Sequence, residues 1–203
     1  MSPEGNAPRS GLEETRHRDP LTEDEIRRVT VGDLQRLDGT IPMVDYDQRW
    51  PQLFDREASR IRAVLEDRAL RIEHVGSTSV PGLVAKPIID ILLVVPDSAC
   101  EPEYLPALES AGYVLRVREP NWYEHRMFSG PGTSINLHTF SNGCPEVDRL
   151  LTFREWLRHN AADRDLYART KIELSQRTWR FVQNYADAKT GVIEEIMRRA
   201  TRR

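Results

Sequence analysis

This sequence has few cysteines, no large excess of charge of one sign and no long apolar run. Each of these features excludes a class of protein. The 203 residues contain two cysteines, Cys100 and Cys144, without C-x-x-C spacing, so neither a zinc site nor a disulfide framework is predicted. The net charge of -3, from 29 basic and 32 acidic residues, gives no global attraction for nucleic acid or an anionic membrane. No apolar run is long enough to span a bilayer, and the N-terminus lacks the apolar core of a secretory signal. We therefore expect a cytoplasmic protein whose partner is a small molecule, with neither a nucleic-acid nor a membrane partner.

The composition divides the chain into an N-terminal extension and one folded domain. Residues 1–19 are rich in Pro, Gly, Ser and charge and have almost nothing apolar to bury, which predicts disorder. From Thr22, a good N-cap residue, a partly helical pattern predicts one or two short helices in an extension that ends at residue 40. The remaining residues, 41–203, are enough for one hydrophobic core.

Hydrophobic periodicity within residues 41–203 predicts an α+β fold with a small mixed sheet, packed helices and a C-terminal helical segment. The predicted strands are Ile41–Tyr46, Leu70–Val75, Ile88–Val95, Tyr113–Val117 and a hairpin of Trp122–Ser129 and Ser134–Phe140. The predicted helices are Pro51–Glu66, Pro102–Ala111, Val147–Leu157, Asp163–Ala186 and Val192–Ala200. Strands and helices thus alternate early in the domain, and helices alone follow the hairpin.

The stretch EHVGSTSVPGLVAKPIIDILLVV, from Glu73 to Val95, is the most informative part of the chain. Its second half is a near-continuous apolar run typical of a strand buried on both faces, yet it contains Asp90. A carboxylate there is costly to bury unless it is paired, hydrogen-bonded or bound to a metal. The polar Gly-Ser-Thr-Ser loop that begins at Gly76 offers backbone amides and hydroxyls suited to an anion. Function is therefore expected at this loop and at Asp90.

Two common motifs fail to match this segment. A P-loop needs two glycines five apart followed by Lys and Ser or Thr, but Lys86 is followed by Pro87 and only Gly82 precedes it nearby. A nucleophile elbow needs Gly-x-Ser-x-Gly, whereas Gly76 directly precedes Ser77. Neither a P-loop nucleotide site nor an α/β-hydrolase nucleophile is predicted.

A Gly-Ser turn at the end of one strand and an acid in the next strand together resemble the signature of the DNA polymerase β-like nucleotidyltransferases. Five segments carry a closer resemblance. In order they are VDYDQRWPQLFDREASRIRAVL, RIEHVGSTSVPGLVAKPIIDILLVV, EPNWYEHRMF, NLHTF and LLTFREWLRHN. Over about residues 41–200 they look like the GrpB family, small bacterial proteins with a nucleotidyltransferase-like fold. The resemblance implies a transferase acting on a small molecule, with a nucleoside triphosphate or other phosphate-bearing ligand as substrate and Mg²⁺ as cofactor.

One residue departs from the pattern that this resemblance implies. Side chains two apart on a strand share a face, so a second metal-binding acid would stand at Leu92, and leucine binds no metal. Asp90 alone could hold Mg²⁺ through waters and substrate phosphates. Glu73 or Glu124 could also supply the second carboxylate from a neighbouring strand. The sequence leaves open whether the site uses a metal.

Twelve residues make up the predicted site. Asp90, His74 and His138 are the predicted catalytic residues, and Asp90 is the predicted metal ligand. The residues predicted to bind substrate or phosphate are Gly76, Ser77, Thr78, Lys86, Arg126, Asn136, Arg154, Tyr167 and Lys171. Asn136 and His138 lie two apart and so share a face, which Arg126 of the partner strand would join. The GrpB resemblance implies the roles of the last three residues in the list.

Each assignment has a structural alternative. Asp90 could be paired with Lys86 or Arg126 only to hold the fold, His74 could bond to the backbone, and the basic residues could form surface salt bridges. At the level of function, the chain could be a non-catalytic binding module that lost the second acid. It could also be a metal-independent enzyme in which His74, Asp90 and His138 act as acid and base groups.

Overall fold

A five-stranded mixed sheet forms the centre of the molecule, described by a computed structural model over residues 20–132 and 134–202. In chain order its strands are β1 (Arg71–Val75), β2 (Ile89–Val95), β3 (Val114–Glu119), β4 (His125–Ser129) and β5 (Ile135–Ser141). Their spatial order is β1-β2-β5-β4-β3, with β2 and β5 parallel and the other neighbours antiparallel. The predicted mixed sheet is confirmed. The predicted disorder of residues 1–19 falls outside the described residues.

Helices cover both faces of the sheet and make up the C-terminal part of the described chain. They are α1 (Glu23–Val29), α2 (Trp50–Leu65), α3 (Leu105–Ser110), α4 (Pro145–His159), α5 (Ala161–Ser175), α6 (Val182–Asp187) and α7 (Thr190–Ala200). The second helix begins with Trp50-Pro51, where the missing proline N–H costs no hydrogen bond. Strands interspersed with helices, followed by helices alone, confirm the α+β class.

The central strand β2 has two different environments on its two faces. On one face Ile91 and Leu93 pack against Ile61 and Leu65 of α2, in a cluster that also includes Leu108 of α3. On the opposite face Leu92 and Val94 pack with Phe140 of β5 beneath Val147 and Leu151 of α4. Asp90 belongs by alternation to this second face, at the end of the strand where α4 does not cover it.

Two predicted elements are wrong. Segment Ile41–Tyr46 is not a strand, because its backbone makes one bridge, from Val44 to Ala85, while Ile41 packs into the C-terminal helices. The single helix predicted over Asp163–Ala186 is interrupted between α5 and α6, because Trp179 forms a backbone bridge with Gly39 instead of continuing the helix. Tertiary pairing overrides the local pattern in both places.

The described part of the N-terminal extension contains one helix. Thr22 and Glu25 form a reciprocal capping box at the start of α1. After the helix, the Val31 N–H donates to the Arg116 carbonyl of β3 at 2.8 Å, and the Leu37 N–H donates to the Arg180 carbonyl at 2.9 Å. Residues 20–40 are therefore hydrogen-bonded to the sheet and to the C-terminal helices.

Candidate functional site

The end of β1 brings Gly76 against the carboxylate of Asp90. Val75, the last residue of β1, pairs with Asp90 in β2, so the chain has to turn beside that carboxylate. Gly76 makes the turn at φ 68° and ψ −172°, a conformation essentially restricted to glycine. A Cβ atom on Gly76 would lie 2.3 Å from Asp90 Oδ2. The glycine therefore allows the loop backbone to approach the acid this closely.

Asp90 is held by β5 at the open end of the sheet. Its side chain is 27% exposed, unlike the rest of β2, and its Oδ1 accepts a hydrogen bond from Asn136 Nδ2 at 3.0 Å. His138 Nε2 lies 3.7 Å from the same oxygen. Asn136 pairs with Asp90 and His138 with Leu92, so the prediction that Asn136 and His138 share a face is confirmed.

Arg126 does not join this face. It pairs with Thr139, whose side chain points to the other face from His138, and there its Nε donates to Glu101 Oε1 at 2.6 Å. The prediction that Arg126 lies beside Asn136 and His138 is therefore wrong. A one-residue difference in the register of the hairpin moves a side chain to the opposite face, and the sequence does not specify that register.

His125, the neighbour of Arg126 on β4, occupies the place predicted for the arginine. Its Nε2 lies 3.1 Å from His138 Nδ1, and its Nδ1 lies 2.7 Å from Glu119 Oε2 of β3. Glu119 and His125 are 4% and 5% exposed. A hydrogen-bonded row of three side chains thus leads from the buried end of β3 to the carboxylate of Asp90.

The loop after Gly76 is joined to helix α5 through Lys171. Residues Ser77–Ser79 form a single 3₁₀ turn, and Lys171 Nζ donates to Ser77 Oγ at 2.8 Å and also to the Val84 carbonyl. Lys171 is almost completely buried, and this burial lowers the pKa of its ammonium group to about 7. The ring of Tyr167, one helical turn earlier, lies 4.8 Å from Lys171 Nζ.

His74 and Thr78 form a separate hydrogen-bonded unit on the other face of the sheet. Thr78 Oγ1 donates to the Ile88 carbonyl at 3.0 Å, so it accepts from His74 Nε2, also at 3.0 Å. The His74 ring stacks on Phe54 of α2, with the ring centroids 4.9 Å apart. Burial lowers the pKa of His74 to about 4, which keeps it neutral. The structure does not bring His74 to the face that carries Asp90.

The chain has only three lysines, and the charge of Asp90 acts on all of them. Burial lowers the pKa of Lys86, of Lys171 to about 7 and of Lys189 to about 8, while the negative charge of Asp90 opposes each shift. The charge of Lys189 also lowers the pKa of Lys171, and that of Lys86 lowers the pKa of Lys189. Asp90 therefore acts electrostatically on all three ammonium groups, and the three residues are here called the lysine cluster.

A small cavity opens beside the Gly76–Ser77 turn. Its volume is about 120 Å³, and its polar lining comes from Gly76, Ser77, Tyr167, Arg149 and Arg154. Burial raises the pKa of Tyr167, and its hydrogen bond with Ser77 opposes that shift. The cavity therefore has a neutral phenol and two arginines of α4 in its lining beside the turn.

Arg154 reaches the turn but is already bound by the protein. Its Nη1 donates to Glu73 Oε2 and to the His74 carbonyl, both at 2.8 Å. The Arg154 side chain is 11% exposed. These bonds fix the end of β1, so Arg154 positions the loop.

The residues around Asp90 differ from the ligand set that Mg²⁺ would need. Leu92 is fully buried under α4, so the position that would carry the second acid belongs to the hydrophobic core. Within residues 20–132 and 134–202, no group of three or more His, Cys, Asp or Glu side chains is arranged to hold a metal ion. The lysine cluster also repels a dication electrostatically. This set of residues does not fit a resident Mg²⁺.

The two glutamates that could have replaced the missing acid are both engaged elsewhere. Glu73 lies on the face of Asp90, but its carboxylate binds Arg154 at 2.8 Å. Glu124 precedes β4 and binds Arg126 at 3.2 Å. Both carboxylates are thus bound by arginines, and neither stands beside Asp90 as a second metal ligand.

Comparison with known proteins identifies the family. The family model described as "GrpB protein" matches residues 40–199. The chain belongs to the GrpB family. A protein of Halalkalibacterium halodurans named UPF0157 protein BH1888 is 62% identical over 181 residues, which cover 89% of this chain and 93% of that protein. UPF0157 protein SCO7215 of Streptomyces coelicolor is 42% identical over 185 residues, covering 91% and 94% of the two chains.

A solved structure confirms that the fold is shared across the family. The crystal structure of the conserved protein GrpB from Enterococcus faecalis superposes with a TM-score of 0.69 at 31% identity, covering 78% of this chain and 96% of that one. The fold is therefore the α+β fold of the GrpB family. No helix of this GrpB-family chain, over the residues described, is both long and apolar enough to cross a membrane.

Sequence reasoning missed Lys189, His125 and Glu119, although one compositional signal pointed to the first. Only three of the 29 basic residues are lysines, and Lys189 is one of them. A buried lysine can shift its pKa and release its proton, which arginine cannot. The small number of lysines in an arginine-rich chain therefore indicates that each lysine belongs to a functional site. His125 gave no comparable signal, because the register of β4 decides which face it lies on.

Proposed function

We propose that this GrpB-family protein is a small-molecule transferase that binds a nucleotide, or another phosphate-bearing ligand, over the Gly76–Ser77 turn. The observation that supports this proposal is the contact of Lys171 Nζ with Ser77 Oγ at 2.8 Å, beside the Gly76 turn, together with the electrostatic effect of Asp90 on Lys86, Lys171 and Lys189. Lys171 is buried and Lys86 and Lys189 are partly buried, so their combined positive charge, opposed by the single carboxylate of Asp90, is costly without a further anionic partner. A ligand with several phosphate oxygens provides that partner.

The turn would orient the phosphates through Lys171. Its ammonium group is fixed between Ser77 Oγ and the Val84 carbonyl, so it meets a ligand at the turn without first losing side-chain freedom. Lys189 and Lys86 would neutralise the remaining phosphate charge. The lysine cluster would thus perform the charge neutralisation that metal ions supply in many phosphoryl-transfer enzymes.

Asp90 and His138 would act on the acceptor molecule. Asp90 Oδ1 and His138 Nε2 lie 3.7 Å apart at the open end of the sheet, where one acceptor hydroxyl can reach both. In the proposed reaction the hydroxyl loses its proton to His138 and its oxygen forms a bond to phosphorus. The bond from phosphorus to the departing phosphate oxygen breaks, and the lysine cluster stabilises the charge that this phosphate carries away.

A second candidate function is a binding module without catalysis. The observation that favours it is the full burial of Leu92 under α4, because the chain lacks the second acid of metal-dependent transferases. Such a module would keep the lysine cluster and bind the same phosphate-bearing ligands. The two functions differ in whether the bound ligand is consumed.

Calorimetric titration with ATP, CTP, GTP, UTP and triphosphate, in EDTA and in MgCl₂, tests the binding. We expect at least one of these ligands to bind in EDTA, and Lys189→Met to weaken that binding about tenfold or more. Arg177→Met is the matched control, since Arg177 is an exposed residue that pairs with Glu173 on α5. Failure of all five ligands to bind, with or without magnesium, would refute the proposal.

The scarcity of lysine allows a second, chemical test. Pyridoxal 5′-phosphate carries a phosphate and an aldehyde, which condenses with an amine to give an imine and water, and borohydride reduces the imine to a stable amine. Every lysine of the chain is in the lysine cluster, so mass spectrometry after reduction reports on this site and on the N-terminal amine alone. We expect modification of Lys171 or Lys189, and protection by the nucleotide that binds in calorimetry. Modification that the nucleotide leaves unchanged would place nucleotide binding elsewhere.

Consumption of the ligand separates the transferase from the binding module. The nucleotide is incubated with the protein and a mixture of small alcohols and amines, and phosphorus NMR follows its signals. We expect new phosphorus signals with the natural chain and none with Asp90→Asn, which keeps the shape of the side chain. Binding without consumption in every acceptor mixture would favour the binding module.

A further inference from the structure

The row of Glu119, His125 and His138 joins three strands by side-chain hydrogen bonds. The two contacts are 2.7 Å between Glu119 Oε2 and His125 Nδ1, and 3.1 Å between His125 Nε2 and His138 Nδ1. The two imidazole planes are inclined by 16°. His138 is the last member of the row and the only one that approaches Asp90, through its Nε2.

The two distances place one proton in each contact, and the chemistry of the groups indicates which atom carries it. One proton lies between Glu119 Oε2 and His125 Nδ1, and we assign it to the imidazole, which then donates to the carboxylate. Neutral His125 then has its lone pair on Nε2, which accepts the Nδ1 proton of His138. His138 is left with its own lone pair on Nε2, the atom that faces Asp90.

We infer that Glu119 and His125 are positioning residues that hold His138 in the tautomer with Nδ1 protonated and Nε2 free to act as a base. The inference rests on the proposed function for the identity of the acceptor that His138 deprotonates. Of the two possible tautomers of neutral His138, these two residues would select the one that presents a basic Nε2 to Asp90 and the acceptor.

The opposite direction of donation, in which His125 Nε2 donates to His138 Nδ1, fits the geometry less well. It requires an additional proton in the buried pair of Glu119 and His125, with His138 Nε2 then carrying a hydrogen toward Asp90. That hydrogen would find Asp90 Oδ1 at 3.7 Å, beyond hydrogen-bond distance, while this oxygen already accepts from Asn136. The row would then hold one more proton than it has hydrogen bonds, because the hydrogen on His138 Nε2 would have no acceptor within reach.

During the reaction the row would also move positive charge from His138 to His125, away from the acceptor. When His138 Nε2 takes the proton of the acceptor, its Nδ1 proton can pass to His125 Nε2, so that His138 remains neutral. The positive charge then rests on His125 beside the carboxylate of Glu119. One proton enters the row at Nε2 of His138, one crosses between the two imidazoles, and none is lost.

Nitrogen NMR of histidine-labelled protein tests the tautomer without any ligand. We expect His138 Nδ1 to give a protonated, pyrrole-type signal and its Nε2 a pyridine-type signal at a pH where the ring is neutral. His74 and His159 are internal references of opposite kind, because His74 Nε2 donates to Thr78 and His159 Nδ1 donates to the Glu155 carbonyl. A protonated Nε2 on neutral His138 in the natural chain would overturn the inference.

Two variants test whether His125 and Glu119 set this state. In His125→Phe the ring that packs on Phe140 is kept but the acceptor is lost, so we expect the His138 signals to move to the other tautomer while those of His159 stay. In Glu119→Gln the amide oxygen can still accept from His125, so the tautomer should persist while kcat falls roughly tenfold or more at unchanged KM. An unchanged His138 tautomer in folded His125→Phe would show that His125 does not set it.

The NMR and binding results separate this inference from the proposed function. If no nucleotide binds but His138 has the expected tautomer, the proposed function fails and the assignment of the hydrogen-bonded row stands. If nucleotides bind and are consumed but His138 has the other tautomer, the proposed function stands and the positioning role of Glu119 and His125 fails.

Discussion

Gly76 and Asp90 lie too close together for any side chain to fit between them. A Cβ atom on Gly76 would be 2.3 Å from Asp90 Oδ2 and 2.9 Å from Asp90 Cβ. Both atoms belong to a strand whose other side chains are fixed in the core, so Asp90 cannot simply move away. The position of the carboxylate and the conformation of the turn therefore depend on each other.

Substitution of Gly76 by alanine should destabilise the protein more than the same change at Gly82. Both glycines have positive φ, 68° and 77°, but a Cβ on Gly82 would meet nothing within 4 Å. We expect Gly82→Ala to cost roughly 1–2 kcal/mol of unfolding free energy for the backbone conformation alone. Gly76→Ala should cost about 3 kcal/mol or more, because a clash with Asp90 adds to the strain. Urea unfolding measures both, and equal costs would contradict the close approach.

Ligand binding should draw protons into the lysine cluster. Burial lowers the pKa of Lys171 to about 7 and of Lys189 to about 8, so near pH 8 the free site is partly neutral. A bound phosphate favours the charged ammonium groups and raises both pKa values, and binding should therefore weaken as the pH rises above about 7. Calorimetry in buffers of different ionisation enthalpy at pH 8 measures the proton uptake.

Arginine variants provide the control for this proton uptake. Arginine stays charged throughout this pH range, so Lys189→Arg should bind with less uptake of protons. Absence of proton uptake by the natural chain at pH 8 would mean that the lysines stay charged or do not meet the ligand.

Local patterns in the sequence were sufficient for part of this site. Gly76, Ser77 and Asp90 lie within fifteen residues, on a strand, a turn and a strand, and the apolar run made the acid conspicuous. Helix α2 and the strands β1 and β2 were predictable for the same reason, since each has an uninterrupted hydrophobic period. The juxtaposition of Gly76 and Asp90 was predictable because the two strands and the turn between them are continuous in sequence.

The rest of the site depends on long-range geometry. Lys171 and Lys189 come from helices that begin at residues 161 and 190, far along the chain from Asp90, and only the packing of those helices brings them to the turn. Whether Arg126 or His125 faces Asn136 depends on a one-residue choice of register between β4 and β5. Hydrophobic alternation left that choice open, because both faces of β4 contain buried residues.

Arg126 should matter for stability and not for ligand binding. Arg126 and Arg118 both bind Glu101 at 2.6 Å, but their side chains are 5% and 44% exposed. Arg126→Met removes a buried guanidinium that binds Glu101 and Glu124, leaves Glu101 with Arg118 alone, and should cost about 1–3 kcal/mol. Arg118→Met, the matched control, should cost about 0–1 kcal/mol. Urea unfolding and nucleotide calorimetry measure the two effects, and reduced affinity in a stable Arg126→Met would indicate that Arg126 reaches the ligand.

His74 should make the protein sensitive to acid. Burial lowers its pKa from about 6.5 to about 4, so the unfolded chain binds this proton more readily than the folded one. The stability that neutral His74 supports is complete above pH 6.5 and is lost as the pH falls toward 4, by about 3 kcal/mol in all. Urea unfolding at a series of pH values should show this loss.

Glutamine at position 74 tests the same residue for a catalytic role. The Gln side-chain amide can still donate to Thr78 but does not titrate, so His74→Gln should remove most of the stability change between pH 6.5 and 4. It should also cost about 1 kcal/mol at neutral pH, because the stacking on Phe54 is lost. His159→Gln, at an exposed position of α4, is the control. Nucleotide consumption should persist in His74→Gln, because His74 lies on the face opposite Asp90; its abolition in a stably folded variant would restore the catalytic role predicted from the sequence.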